Sequence, residues 1–147
     1  MASKIYFLVF FTTIIMSIAT VPSTKINDDM GEVHTLPQGT KFDITAKAGD
    51  TFTIKIRGNP TTGFGWFLEN RDNLDNSVIQ PLNLNEHGSS RDYITDEHPE
   101  GMVGVGGYYY FKFKGMKAGA NVTLRFVNKR PWETSAIRSV DVNVNLI

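Results

Sequence analysis

Three segments carry residues suited to holding a partner rather than to simple chain reversal. The first is Arg57-Gly58-Asn59-Pro60-Thr61-Thr62-Gly63-Phe64-Gly65-Trp66. Pro60 fixes one φ angle, while Gly58 and Gly63 permit φ values that other residues resist. That frame holds the adjacent hydroxyls of Thr61 and Thr62 at the tip of a stiffened loop, although the same residues also make an ordinary turn. The second is Gly101-Met102-Val103-Gly104-Val105-Gly106-Gly107, with four glycines in seven residues. No Lys follows in the P-loop spacing and the run leads into a strand rather than a helix, so it is not a phosphate cradle. It offers backbone N–H and C=O groups with almost no side-chain bulk, which suits a narrow cleft as well as a hinge. The third is Asn128-Lys129-Arg130-Pro131-Trp132-Glu133. Its Trp132, stiffened by Pro131 and flanked by Arg130, either folds back on the core edge or meets a partner, and Trp and Arg are enriched at binding hot spots.

Catalytic constellations are weak by comparison. Cysteine is absent, which removes a thiolate nucleophile, a thiolate metal site and any disulfide. Of the histidines His34, His87 and His98, the last two share residues 86–100 with Asp92, Asp96 and Glu97. Ten residues separate them, a spacing with no recognised metal-ligand pattern. The stretch reads as a solvated, mobile loop leading into the glycine-rich tip. No G-x-S-x-G nucleophile elbow occurs. Formal net charge is zero, with Lys and Arg scattered, so the basic stripe of a nucleic-acid binder is missing.

The elements that must position these loops are strands. Phe42, Ile44 and Ala46 alternate with Lys41, Asp43, Thr45 and Lys47, and Phe52, Ile54 and Ile56 with Thr51, Thr53, Lys55 and Arg57. Period-two alternation marks half-buried strands over 41–47 and 51–57, joined by the turn Ala48-Gly49-Asp50. Further strands are expected at 65–69, 107–114, 121–128 and 137–147, with weaker candidates at 32–36 and at 78–85, the latter interrupted by Pro81. Tyr109 should face oppositely to Tyr108 and Tyr110. No helical period is sustained. Some seven or eight short strands between Gly, Pro and Asn turns indicate an all-β, Greek-key β-sandwich. An apolar fraction of 41% and a charged fraction of 20% over 147 residues fit one globular domain.

The amino terminus reads as a signal peptide over 1–19. Lys4 precedes a largely apolar run over 5–18, and Ser17 and Ala19 place small residues at −3 and −1 of a cleavage site. Residues 20–35 then read as a flexible arm and 36–147 as the folded domain. Removing Lys4 takes the 15 basic side chains to 14 against 15 acidic ones, a balance that favours no class of partner. Entry into the secretory route is expected, with a secreted or endo-lysosomal destination. Asn121-Val122-Thr123 is an N-glycosylation triplet, here inside an expected strand, where occupancy is doubtful.

Asn-Pro-Thr-Thr-Gly-Phe, Gly-Val-Gly-Gly and Arg-Pro-Trp, in this order and at these separations, resemble the chagasin-like inhibitors of papain-family cysteine peptidases (the ICP family). The resemblance spans about residues 36–147. It implies a disulfide-free immunoglobulin-like sandwich with the three loops forming a wedge at one end. Carried onto this chain, Gly104, Val105, Gly106 and Gly107 would enter the catalytic cleft. Asn59, Pro60, Thr61, Thr62, Gly63 and Phe64 would flank it on one side, with the threonine hydroxyls near the catalytic His, and Arg130, Pro131 and Trp132 on the other. The implied activity is reversible, competitive inhibition of one peptidase by one monomeric inhibitor. It needs no catalytic residue, cofactor or metal, and involves no nucleic acid and, after signal cleavage, no membrane. The rival reading is a secreted adhesion or carbohydrate-binding sandwich, with Tyr108, Tyr109 or Tyr110 stacking on sugars.

Overall fold

In the computed structural model residues 29–147 are described, so the leader expected over 1–19 and the arm as far as residue 28 lie outside the described residues. The remainder builds nine strands: β1 (Glu32–Thr35), β2 (Lys41–Ala46), β3 (Thr51–Gly58), β4 (Gly65–Leu68), β5 (Ile79–Pro81), β6 (Asp92–Thr95), β7 (Gly107–Gly115), β8 (Asn121–Lys129) and β9 (Arg138–Leu146). One sheet runs β1-β3-β7, with β6 and β5 end to end along the far edge of β7, and the other runs β2-β9-β8-β4. The result is an immunoglobulin-like β-sandwich.

Period-two burial makes the core. Phe52, Ile54, Ile56, Tyr109, Phe111 and Phe113 point inward from one sheet, and Trp66, Leu68, Leu124, Phe126, Val140, Val142 and Val144 from the other. Phe111 and Phe126 meet across the interface at 4.8 Å, and Phe52 stacks on Phe113 at 5.6 Å. Each aromatic removes ~150–250 Å² from water, worth roughly 4–6 kcal/mol at ~25 cal/mol per Å² before entropy is counted. Packing of this density holds the sheets together without a disulfide. Trp66 adds a polar tie between them, its Nε1 donating to Arg57 O at 2.8 Å.

Two departures from the expected elements matter for function. Residues 92–95, expected within a mobile loop, form β6 and pair with Gly107–Tyr110 of β7. Asn83 clamps them there, its Nδ2 donating to Asp92 Oδ2 at 2.8 Å and Tyr110 O at 2.7 Å while its Oδ1 accepts from Lys112 N at 2.9 Å. The candidate strand at 78–85 shrinks to Ile79–Pro81: Leu82 N still donates to Lys112 O at 2.9 Å, but at Asn83 a side-chain oxygen, not a backbone carbonyl, accepts from Lys112 N. The short strand expected at 32–36 forms as β1, pairing in parallel with β3, and Thr53 Oγ1 donates to Met30 O at 2.6 Å.

Candidate functional site

Register gathers the three loops. Gly58, ending β3, pairs with Gly107, opening β7; Gly65, opening β4, pairs with Lys129, ending β8; and Asn128 pairs with Arg138, opening β9. Loops 59–64, 96–106 and 130–137 therefore leave the sandwich at the same end, and the first passes from one sheet to the other.

The first loop is a 3₁₀ turn, Pro60–Thr62, capped by its own Asn59 and closed by Gly63 at φ 83°. Asn59 Oδ1 accepts from Thr61 N at 3.1 Å and from Thr61 Oγ1 at 2.6 Å, and Thr62 Oγ1 donates to Asn59 O at 2.7 Å. Both threonines are exposed, but their hydroxyl protons are already donated within the loop. Toward a partner each hydroxyl is thus an acceptor first, which narrows the expectation of freely available hydroxyls.

Asn59 also joins the loops. Its Nδ2 donates to Gly104 O at 3.0 Å in the glycine-rich loop. That loop is braced further down, where Arg57 binds Asp96 at 2.6 and 2.8 Å and Tyr93 Oη donates to Gly58 O at 3.3 Å. The Arg57 hydrogen bond holds the Asp96 carboxyl below the usual carboxylate range. Tyr93 packs on Tyr109 at 4.9 Å, and burial, with Tyr93 adjacent, pushes the Tyr109 phenol up to about 12.

The glycines divide into two kinds. Gly104 is exposed at φ 75°, with open space where a side chain would stand. Gly107 is buried in β7, and a Cβ there would lie 2.1 Å from Ile94 O. It is therefore a packing glycine beneath the loop, not part of its tip. Val105 and Gly106 are half-buried, Gly106 lying against the Arg57 guanidinium. The tip lies earlier, at Met102 and Val103, the latter 91% exposed; two apolar side chains inside a glycine run were the available signal for it.

In the third loop, Arg130-Pro131-Trp132-Glu133 closes a turn, Glu133 N donating to Arg130 O at 3.1 Å. Arg130 pairs with Glu133 at 3.3 Å and lies 4.7 Å over the Phe64 ring, so it ties this loop to the first. Trp132 is 74% exposed rather than folded back on the core. Ile137 beyond it is also exposed. Val103, Trp132 and Ile137 are the most exposed large apolar side chains among the described residues, and all three lie in the loops at this end.

The sugar-stacking face of the rival reading is occupied: Lys55 Nζ stands 4.2 Å over Tyr108 and 5.5 Å over Tyr110, while Tyr109 is buried. His87 lies beside Glu86 at 3.2 Å and His98 against Asp96 O at 2.8 Å, each in its own neighbourhood.

Comparison with known proteins agrees with this geometry. The sequence model of the chagasin family of peptidase inhibitors, I42, matches residues 45–144. Amoebiasin-1 of Entamoeba histolytica is 32% identical over 104 residues, covering 70% of this chain and 88% of that protein. In the fold, the crystal structure of a cysteine protease inhibitor from Entamoeba histolytica aligns at a TM-score of 0.56 and 22% identity, over 79% of this chain and 95% of that one. The solution structure of Amebosin aligns at a TM-score of 0.56 and 26% identity, over 80% and 98%.

Proposed function

The chain belongs to the chagasin family of peptidase inhibitors, a family of inhibitors and not of enzymes, and on that premise we propose that it blocks papain-type, cathepsin L-like cysteine peptidases reversibly and competitively by inserting its loops into the active-site cleft. The observation that carries this reading is the joining of three loops at one end of a rigid sandwich, through Asn59–Gly104 and Arg130–Phe64. The intact Asn-Pro-Thr-Thr-Gly-Phe and Arg-Pro-Trp motifs select the target class.

Binding then costs little conformational entropy, because the loops are ordered beforehand by bonds of their own. The bare segment around Gly104, tipped by Met102 and Val103, fills the cleft. Thr61 and Thr62 present hydroxyl oxygens on one side, where a protonated catalytic His is a suitable donor. Trp132 supplies the aromatic contact on the other side. No backbone carbonyl need be placed for attack, so no covalent step is required. One monomeric inhibitor meets one peptidase, in a compartment reached by the secretory route.

Titration of residues 20–147 against papain and a cathepsin L-like enzyme, with a serine peptidase as control, tests the proposal. Tight, reversible, competitive inhibition of the cysteine peptidases alone is the expected result. A folded sample that inhibits neither refutes it.

A further inference from the structure

The chain has one N-glycosylation triplet, Asn121-Val122-Thr123, since Pro60 disqualifies Asn59-Pro60-Thr61. A triplet inside a strand is a poor acceptor when its Asn faces the core or lies deep in the sheet. Here neither holds. Asn121 is the first residue of β8, directly after the turn that leaves β7. Asn121 and Thr123 share the outer face and are exposed, while Val122 packs against the core and Leu124 is fully buried. Their cross-strand partners are Asn145 and Asn143, and Asn143 in turn bonds Asp43, so the surrounding surface is polar. A sugar there displaces no apolar packing.

The position also suits the rest of the molecule. Strand β8 runs from Asn121 to Lys129, eight rises or roughly 26 Å at ~3.3 Å each. The tryptophan loop starts from its far end, so Asn121 lies at the end of the sandwich away from all three loops.

We propose that Asn121 is N-glycosylated and that its glycan leaves the three-loop end unobstructed. The donor is a lipid-pyrophosphate-linked oligosaccharide, and the transfer is run by the oligosaccharyltransferase of the secretory lumen. Asn121 Nδ2 forms a bond to the anomeric carbon as the bond from that carbon to the pyrophosphate oxygen breaks. The lipid pyrophosphate leaves with the electron pair, the amide loses one proton, and nothing is oxidised or reduced. The assignment rests on the export reading of residues 1–19 and is independent of the inhibition reading.

Expression of the full chain, 1–147, in a eukaryotic secretory host tests it by intact mass before and after peptide N-glycosidase. The secreted protein should exceed its polypeptide mass by a glycan that the glycosidase removes. Asn121→Gln and Thr123→Ala should lose that mass, and Thr123→Ser should keep it, which separates triplet recognition from misfolding. Glycosylated and deglycosylated samples should titrate papain identically. A secreted wild-type chain of bare polypeptide mass overturns the proposal, as does a glycan that survives Asn121→Gln. Retention of the full chain in the cytosol also overturns it, because Asn121 then never meets the transferase. Weaker inhibition by the glycosylated form would overturn the placement away from the loops. A glycan on a chain that inhibits in neither form would leave this assignment standing and remove the inhibitory one.

Discussion

Changing Asn59 to Asp asks whether the loops act as one preorganised body. Asn59 makes two acceptor bonds within its own turn, to Thr61 N and Thr61 Oγ1, and one donor bond across to Gly104 O at 3.0 Å. Asn59→Asp preserves the acceptors and removes only the donor, leaving a carboxylate oxygen facing a carbonyl. A neutral hydrogen bond contributes about 1 kcal/mol net, and the new repulsion, screened by water at an exposed loop, adds up to about 1 kcal/mol. If only the joined arrangement enters the cleft, apparent affinity falls with the population of that arrangement. The inhibition constant for papain should therefore rise about five- to thirtyfold, at ~1.4 kcal/mol per factor of ten. The melting temperature should hold, because the bond lies outside the core. Titration of papain by wild type, Asn59→Asp and Asn59→Ala, with thermal unfolding in parallel, measures both. Wild-type inhibition by Asn59→Asp alongside weakened inhibition by Asn59→Ala would refute the coupling between loops and leave only the cap. Wild-type inhibition by both variants would refute preorganisation of this loop altogether.

Trp132→Ala should weaken papain inhibition by roughly 30-fold or more, the scale of a Trp hot spot, with an unchanged melting temperature because the ring is largely exposed. Gly107→Ala should act through the fold: its methyl meets Ile94 O, so calorimetry should show a melting temperature lower by roughly 4–12 °C, for ~1–3 kcal/mol of overpacking, with inhibition weakened alongside it. Asp96 has a folded pKa below its unfolded value of about 3.9, so its contribution is present above that value and is lost only as pH falls through the lower folded value. Asp96→Asn should accordingly raise the inhibition constant by the same factor at pH 7 and pH 5, as paired titrations would show. Tyr109 ionises near 10 when unfolded and at about 12 when folded, so between those values the unfolded chain binds fewer protons and stability falls as pH rises. Urea unfolding across that window should lose up to roughly 3 kcal/mol, and Tyr109→Phe should remove this contribution.

Legibility in the sequence followed the range of the interactions. Strict alternation expresses burial directly, so strands expected at 41–47, 51–57 and 121–128 appear as Lys41–Ala46, Thr51–Gly58 and Asn121–Lys129. Strand β6 was hidden because Asp92-Tyr93-Ile94-Thr95 sits among Asp, Glu and His, and because what pins it is Asn83, reaching Tyr110 O from 27 residues earlier. The Arg57–Asp96 pair, 39 residues apart, left no local trace either. The turn over Pro60–Thr62 was legible as a stiff loop, since proline, glycine and a capping Asn act within a few residues. The same local rules could have foretold that Thr61 and Thr62 donate their protons back to Asn59.

The glycine-rich motif shows where this matters for function. Its four glycines look alike as a string, yet Gly104 stands in open space at φ 75°, where the proposed wedge meets its partner, and Gly107 is bare because Ile94 O lies against it. Only β6 distinguishes them, and β6 is held by Asn83 on another segment. The tip at Met102 and Val103 is therefore positioned by Asn83, a residue outside all three motifs. Loosening Asn83 or Gly107 should impair inhibition while leaving every contact side chain in place, so a chain can keep all three motifs and still bind weakly.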